Sequence, residues 1–91
     1  MTAHVDDARV VVFTREGCHL CAAAEAMVAE ICADTGDTWA RVDIDDDPEL
    51  RERFTEQVPV TFVDGKQHDF WRVDEARLRG ALGRRRGLFR R

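Results

Sequence analysis

The sequence lacks the features that define several other classes of protein. Its first apolar run, residues 10–13, is far shorter than a signal or membrane-spanning segment and follows the charged segment 6–9. Only 6 glycines and 2 prolines occur in 91 residues, and there is no internal repeat or low-complexity linker. We therefore expect one compact domain that stays in the cytoplasm and does not enter a membrane, rather than a disordered chain.

Cysteine is also scarce, and its number is odd. A framework of structural disulfides needs an even number of cysteines, whereas this chain has 3. The cytoplasm keeps thiols reduced, so cysteines there are more often catalytic or metal-binding than structural. The cysteines are therefore the first candidates for a functional site.

Charge is unevenly distributed along the chain. The net charge is -4, but the arginines of residues 84–91 contribute +5, which leaves -9 for residues 1–83. An acidic body disfavours nucleic acid as a partner, because phosphate contacts need clustered lysine and arginine. We divide the chain into a folded domain, residues 1–83, and a basic, disordered tail, residues 84–91.

The first half of the chain predicts a strand, a helix, a second strand and a second helix. The apolar segment 9–13 is typical of a central strand. A helix from His19 to just before Gly36 would place one apolar stripe toward a core. Residues 38–45 alternate as a strand does, and Asp47 followed by Pro48 predicts the start of a short helix that ends near residue 57. The stripe of the first helix consists of Leu20, Ala24, Met27, Val28 and Ile31.

The second half predicts a hairpin and a last helix. Pro59 begins a third strand, and Asp64-Gly65 is a favoured two-residue turn into a fourth strand over residues 66–71. A final helix follows Asp74. The predicted order is β-α-β-α-β-β-α.

The pair Cys18 and Cys21 lies where the first strand passes into the first helix. A thiolate at a helix N-terminus is stabilised by unpaired backbone N–H groups, so we expect the pKa of Cys18 to lie below that of a free cysteine. Arg15 would add a positive charge nearby. Cys21, one turn later, is close enough to form a disulfide with Cys18 and to resolve a mixed disulfide that Cys18 has formed.

Other interpretations of the cysteines remain open. A structural zinc site needs four Cys or His ligands, and a single C-x-x-C supplies two, so we expect no metal in one chain. Cys32 lies about 16 Å further along the helix and is expected to be a small buried hydrophobic residue. Between the cysteines, His19 either tunes the Cys18 thiolate or is simply solvated. A metal or iron–sulfur binding module built on the same C-x-x-C, at an interface between two chains, is the main alternative function. An adaptor that has lost activity is a weaker one.

The strand, the C-x-x-C that opens a helix, and the segment QVPVTFVDG together resemble the thioredoxin superfamily. Within it, the chain is most similar to small bacterial glutaredoxin-like proteins with a C-H-L-C motif, from about Arg9 to Leu82. The resemblance implies an α/β, thioredoxin-like fold of the glutaredoxin type, with a four-stranded mixed sheet flanked by helices. It also implies a thiol–disulfide oxidoreductase that reduces protein disulfides or glutathione mixed disulfides through a Cys18–Cys21 dithiol.

The same resemblance assigns further roles. Pro59 is expected to be cis and to face the cysteine pair, and Val58 to offer backbone hydrogen bonds to the substrate. Arg15 matches a basic residue of glutaredoxins, and with His19 we count it among the substrate-binding residues. The implied partners are disulfide-bearing proteins, with glutathione or a flavoprotein reductase as electron source. A monomer without a resident cofactor is expected, with glutathione as a possible co-substrate.

The chain also departs from its relatives. Thioredoxins carry a buried aspartate six residues before the first cysteine, where this sequence has Val12. Glutaredoxins carry a Gly-Gly pair after the last strand, where this sequence has Phe70 and Trp71. We expect Trp71 to be partly exposed and to form part of a hydrophobic groove beside the cysteines.

Overall fold

A computed structural model of the protein describes residues 3–88, and the side chains of residues 3–83. The predicted order of strands and helices is confirmed. The elements are β1 (Val10–Thr14), α1 (His19–Thr35), β2 (Trp39–Asp43), a 3-10 turn (Ile44–Asp46), α2 (Pro48–Phe54), β3 (Val60–Val63), β4 (Lys66–Phe70) and α3 (Glu75–Leu88).

The strands form one mixed sheet in the order β2-β1-β3-β4. β1 pairs with β2 in parallel, and β1–β3 and β3–β4 are antiparallel. β1 and β2 can pair in parallel because α1, which connects them in sequence, carries the chain back to the end of the sheet where β1 began. Every residue of β1 is buried, as expected of a central strand covered on both faces.

Helices cover both faces of the sheet. Val10 and Val12 of β1 pack under α1 and α3 in one core cluster. Val11 and Phe13, whose side chains alternate to the other face, pack under α2 in a second cluster. The ring of Phe13 lies 5.1 Å from that of Phe54 and 5.3 Å from that of Phe62, measured between centroids. The sheet is therefore packed on both faces, and the end of β1 at Thr14 leads into the loop before the cysteines.

Local backbone chemistry sets the turns. Asp47 caps α2 by accepting the N–H of Glu49, with Pro48 in the first turn, as predicted. Asp64 and Gly65 both have positive φ, which is typical of the hairpin turn expected there. Gly36 ends α1 in the left-handed region, with φ of 78°.

The main differences from the prediction are at the ends of β2, α2 and β4. β2 ends at Asp43 because its side chain accepts the N–H of Asp45 and starts the 3-10 turn. α2 ends at Phe54 rather than near residue 57, and β4 ends at Phe70 because Trp71 turns to a φ of 67°.

The predicted tail begins inside a helix. α3 continues to Leu88 and so passes the boundary that we placed after residue 83. Residues 89–91 of the predicted tail lie outside the described residues, and the division into domain and tail stays a prediction. No helix within residues 3–88 combines the length and the apolar character needed to cross a membrane.

Candidate functional site

Cys18 and Cys21 form a disulfide at the start of α1, with their Cα atoms 5.2 Å apart. Cys18 is the N-cap residue of α1 in an extended conformation and is half-buried. Cys21 lies in the first turn, on the face turned to the sheet, and is only 1 % exposed. The two sulfurs therefore differ in access: an incoming molecule can approach Cys18 and not Cys21.

The start of α1 favours negative charge on Cys18. The backbone N–H of Cys21 donates a hydrogen bond to the Cys18 sulfur over 3.1 Å, where a capping oxygen would usually accept. The first turn of α1 contains no acidic residue that would oppose a thiolate. Unpaired N–H groups and the positive end of a helix dipole stabilise a thiolate in this place.

The peptide bond between Val58 and Pro59 is cis, as predicted. Phe13 pairs with Val60, so the register places Pro59 beside Thr14, next to the loop that leads to Cys18. The N–H of Val58 donates to the carbonyl of Phe54 over 3.1 Å. A substrate strand would therefore find that N–H occupied, which limits the backbone contacts expected of Val58.

Two other predicted residues lie at the site with their roles undecided. The guanidinium of Arg15 donates to the carboxylate of Asp45 over 3.0 Å, so part of its charge is already balanced by a neighbouring loop. His19 is exposed in the first turn of α1, beside Cys18 in sequence. Both roles stay predictions.

An apolar groove of about 320 Å³ lies along α1 beside the cysteine pair. Leu20 and Trp71, which form part of its lining, are 43 % and 51 % exposed, unusually high for large apolar side chains. The expected partial exposure of Trp71 is confirmed. Leu20 was predicted as a core-facing residue of α1, and this was wrong, because its side chain points away from the sheet. Its position between the two cysteines was the signal that could have marked it as part of the site.

Trp71 is held firmly in the groove wall. Its backbone N–H donates to the carbonyl of Pro59 over 2.7 Å, and its indole N–H donates to the carbonyl of Glu56 over 3.0 Å. The ring of Phe70 meets it edge-on at 5.0 Å. The sequence carried no sign of this link, which joins the groove directly to the cis-proline.

The remaining cysteine is not part of the site. Cys32 is 2 % exposed within the core, as expected, and burial raises the pKa of its thiol. Among residues 3–88, no group of three or more His, Cys, Asp or Glu side chains is arranged to hold a metal ion. Within one chain, the site is thus a pair of sulfurs beside an apolar groove.

A C-x-x-C at the start of a helix, together with a cis-proline at the start of a strand in a mixed four-stranded sheet, defines a protein of the thioredoxin-like class. Residues 9–83 match the family described as Glutaredoxin-like domain (DUF836), and the chain belongs to that family. The match covers every strand and most of α3.

The chain is also similar to a curated protein and to solved structures from other organisms. The uncharacterized protein Rv0508 of Mycobacterium tuberculosis is 35 % identical over 81 residues, which cover 84 % of each chain. The X-ray structure of target protein XcR50 from X. campestris has 31 % identity and a TM-score of 0.67, covering 82 % of this chain and 96 % of that one. Glutaredoxin C1 from populus tremula x tremuloides shares the fold, with 22 % identity and a TM-score of 0.53 over 92 % of this chain and 83 % of that one.

Proposed function

We propose that the protein is a thiol–disulfide oxidoreductase that reduces disulfides in other proteins through Cys18 and Cys21. The observation that carries the proposal is the asymmetric pair at the start of α1. Cys18 is accessible and accepts the Cys21 N–H at 3.1 Å, while Cys21 is buried beneath it. This is the arrangement that an attacking thiolate and a shielded resolving thiol require.

The reaction follows from this arrangement. The Cys18 thiolate attacks one sulfur of a substrate disulfide, a Cys18–substrate disulfide forms, and the other substrate sulfur leaves as a thiolate. Cys21 then gives up its proton and attacks the Cys18 sulfur. The Cys18–Cys21 disulfide forms, and the second substrate sulfur leaves and takes up a proton. Two electrons and two protons from donor thiols restore the pair, and glutathione or a flavoprotein reductase is the proposed source.

The groove favours a protein over glutathione as the substrate. Glutathione is a small, highly polar peptide, and its recognition needs charged or hydrogen-bonding groups. Beside the cysteines this chain instead presents the exposed apolar side chains of Leu20 and Trp71, and Arg15 is bonded to Asp45. A disulfide flanked by apolar residues of another protein would bury these side chains on binding. Within this proposal, Pro59, Val58 and His19 border the bound segment, and the protein acts as a cytoplasmic monomer.

Cysteine variants test the proposal with a disulfide-bonded protein such as insulin as substrate and dithiothreitol as reductant. We expect Cys18→Ser to abolish reduction, because the attacking sulfur is lost. Incubated with the substrate in the absence of dithiothreitol, Cys21→Ser should instead accumulate a covalent complex through Cys18, visible as a mass increase that later addition of dithiothreitol removes. Cys32→Ala is the matched control and should retain activity. Wild-type activity in both site variants would refute the proposal, and visible absorbance of protein purified without oxygen would favour an iron–sulfur module instead.

A further inference from the structure

Two buried hydroxyl groups have no hydrogen-bond partner in the disulfide form. Thr14 is 0 % exposed and Thr61 is 1 % exposed. No other polar or charged residue among residues 3–83 is fully buried. Their hydroxyl oxygens form no hydrogen bond. An unsatisfied buried hydroxyl destabilises a fold, so a pair of them within one small core needs an explanation.

Both hydroxyls lie on the sheet face that carries α1. Val10 and Val12 belong to the core cluster under α1, and Thr14 is the next residue of β1 on that face. Thr61 is the register partner of Val12 on β3, so its side chain points to the same face. The two threonines are therefore diagonal neighbours on adjacent strands, with Thr61 opposite Val12 and Thr14 two residues further along β1.

The first turn of α1 lies over this part of the sheet. α1 begins directly after β1 and runs back across the sheet, and its buried stripe starts with Cys21 and continues with Ala24 and Val28. Ala24 and Val28 pack with Val12 in the same cluster. Cys21, one turn nearer to the start of α1, is thus placed over the end of β1 that carries Thr14.

We propose that the hydroxyls of Thr14 and Thr61 are the hydrogen-bond partners of the Cys21 sulfur in the reduced protein. This inference deepens the proposed function and rests on it. In the oxidised form the Cys21 sulfur is bonded to Cys18 and carries neither a proton nor a charge, so it is at most a weak acceptor, and neither hydroxyl bonds to it. Reduction provides a thiol that can donate to a hydroxyl and, during resolution, a thiolate that accepts from one.

The hydroxyls would act at the resolving step. There Cys21 loses its proton and attacks the Cys18 sulfur of the mixed disulfide. The Cys18–substrate bond breaks, and the proton ends on the leaving thiolate. Val12 provides no carboxylate to take that proton, and the site is buried, which opposes a free charge on Cys21. Two neutral hydroxyls that rotate between accepting and donating would lower this cost, which makes Thr14 and Thr61 positioning residues for Cys21.

The test uses reduced protein and an aromatic disulfide reagent that releases a coloured thiolate. The first release reports attack by Cys18 and the second reports resolution by Cys21, so stopped-flow absorbance separates the two steps. We expect Thr61→Val to slow the second release by about tenfold to 150-fold, the range that the loss of one hydrogen bond to a charged group covers. It should also move the pH profile of that step to higher pH and leave the first release unchanged.

Two further variants complete the design. Thr14→Val should slow the second release in the same way, whereas Thr61→Ser, which keeps the hydroxyl, should retain most of the wild-type rate. Equal second-phase rates and pH profiles for Thr61→Val and the wild type would overturn the inference. A Thr61→Ser variant as slow as Thr61→Val would do the same, because packing and not the hydroxyl would then be responsible. The reagent needs no protein substrate, so failure to reduce protein disulfides would count against the proposed function and not against Thr61.

Discussion

Replacing Arg9 should strongly destabilise the fold. Its side chain is 18 % exposed and its guanidinium donates to three acceptors: Asp37 at 2.8 Å, Asp64 at 3.1 Å and the carbonyl of Leu82 at 3.0 Å. These acceptors lie after α1, in the turn between β3 and β4, and in α3. One side chain thus joins three segments that are distant in sequence.

The expected loss can be worked from this geometry. Burial opposes the charge of Arg9, but the hydrogen bonds to Asp37 and Asp64 and the attraction of their negative charges together outweigh that effect and raise the pKa of Arg9. Arg9→Met keeps most of the aliphatic stem and removes the charge and the donors. Breaking a buried ion pair costs about 3 to 5 kcal/mol. Because Asp64 is 23 % exposed, we expect a value near the lower end, about 3 kcal/mol, which is a large part of the 5 to 15 kcal/mol typical of a domain.

Urea denaturation followed by tryptophan fluorescence measures this loss as a lower midpoint at unchanged slope. Arg79→Met is the matched control. Arg79 also pairs with two carboxylates, Asp34 and Glu75, but on the surface, where water and salt weaken the pairs, so its midpoint should move far less. A loss below about 1 kcal/mol for Arg9→Met, or one no larger than for Arg79→Met, would refute the reasoning.

Three further outcomes are expected. Trp71→Ala should lower kcat/KM for a protein disulfide about tenfold, because an aromatic side chain buried on binding is lost. The rate with a small aromatic disulfide should stay unchanged, and equal losses with both substrates would contradict binding of the protein substrate in the groove. Burial raises the pKa of Cys32 in the folded protein. As pH rises through about 8.5, the thiol therefore ionises in the unfolded chain before it does so in the folded one, and the free energy of unfolding of the oxidised protein falls. Cys32→Ala should remove that decline in urea denaturation measured from pH 7 to 10. An unchanged decline would show that a group other than Cys32 causes it. Gly36→Ala should cost about 1 kcal/mol through its φ of 78° alone, because outside the adjacent backbone no atom lies within 4 Å of the added methyl group; an unchanged urea midpoint would contradict this.

The order of elements and the place of the cysteines could be predicted from the sequence because they depend on neighbouring residues. Asp47 with Pro48 starts a helix, and Asp64 with Gly65 closes a hairpin, through backbone preferences that need no distant contact. The apolar run of β1 marks a central strand in the same way. The position of the C-x-x-C at a helix start follows directly. At Asp43 a side-chain hydrogen bond to the backbone starts a 3-10 turn, and there the predicted end of the strand was wrong by only a few residues.

The tertiary structure alone decided how the site is completed. The hydrogen bond from the Trp71 N–H to the Pro59 carbonyl joins residues that nothing in the sequence pairs. The Val58 N–H is bonded to the carbonyl of Phe54 because α2 ends there. Thr14 and Thr61 come together through the antiparallel register of β1 and β3, which is invisible before the strands pair. Arg9 finds its acceptors only when the segments that carry them are packed. Such contacts depend on which faces and strands meet, and that is set by burial of the whole core rather than by the preferences of any one segment.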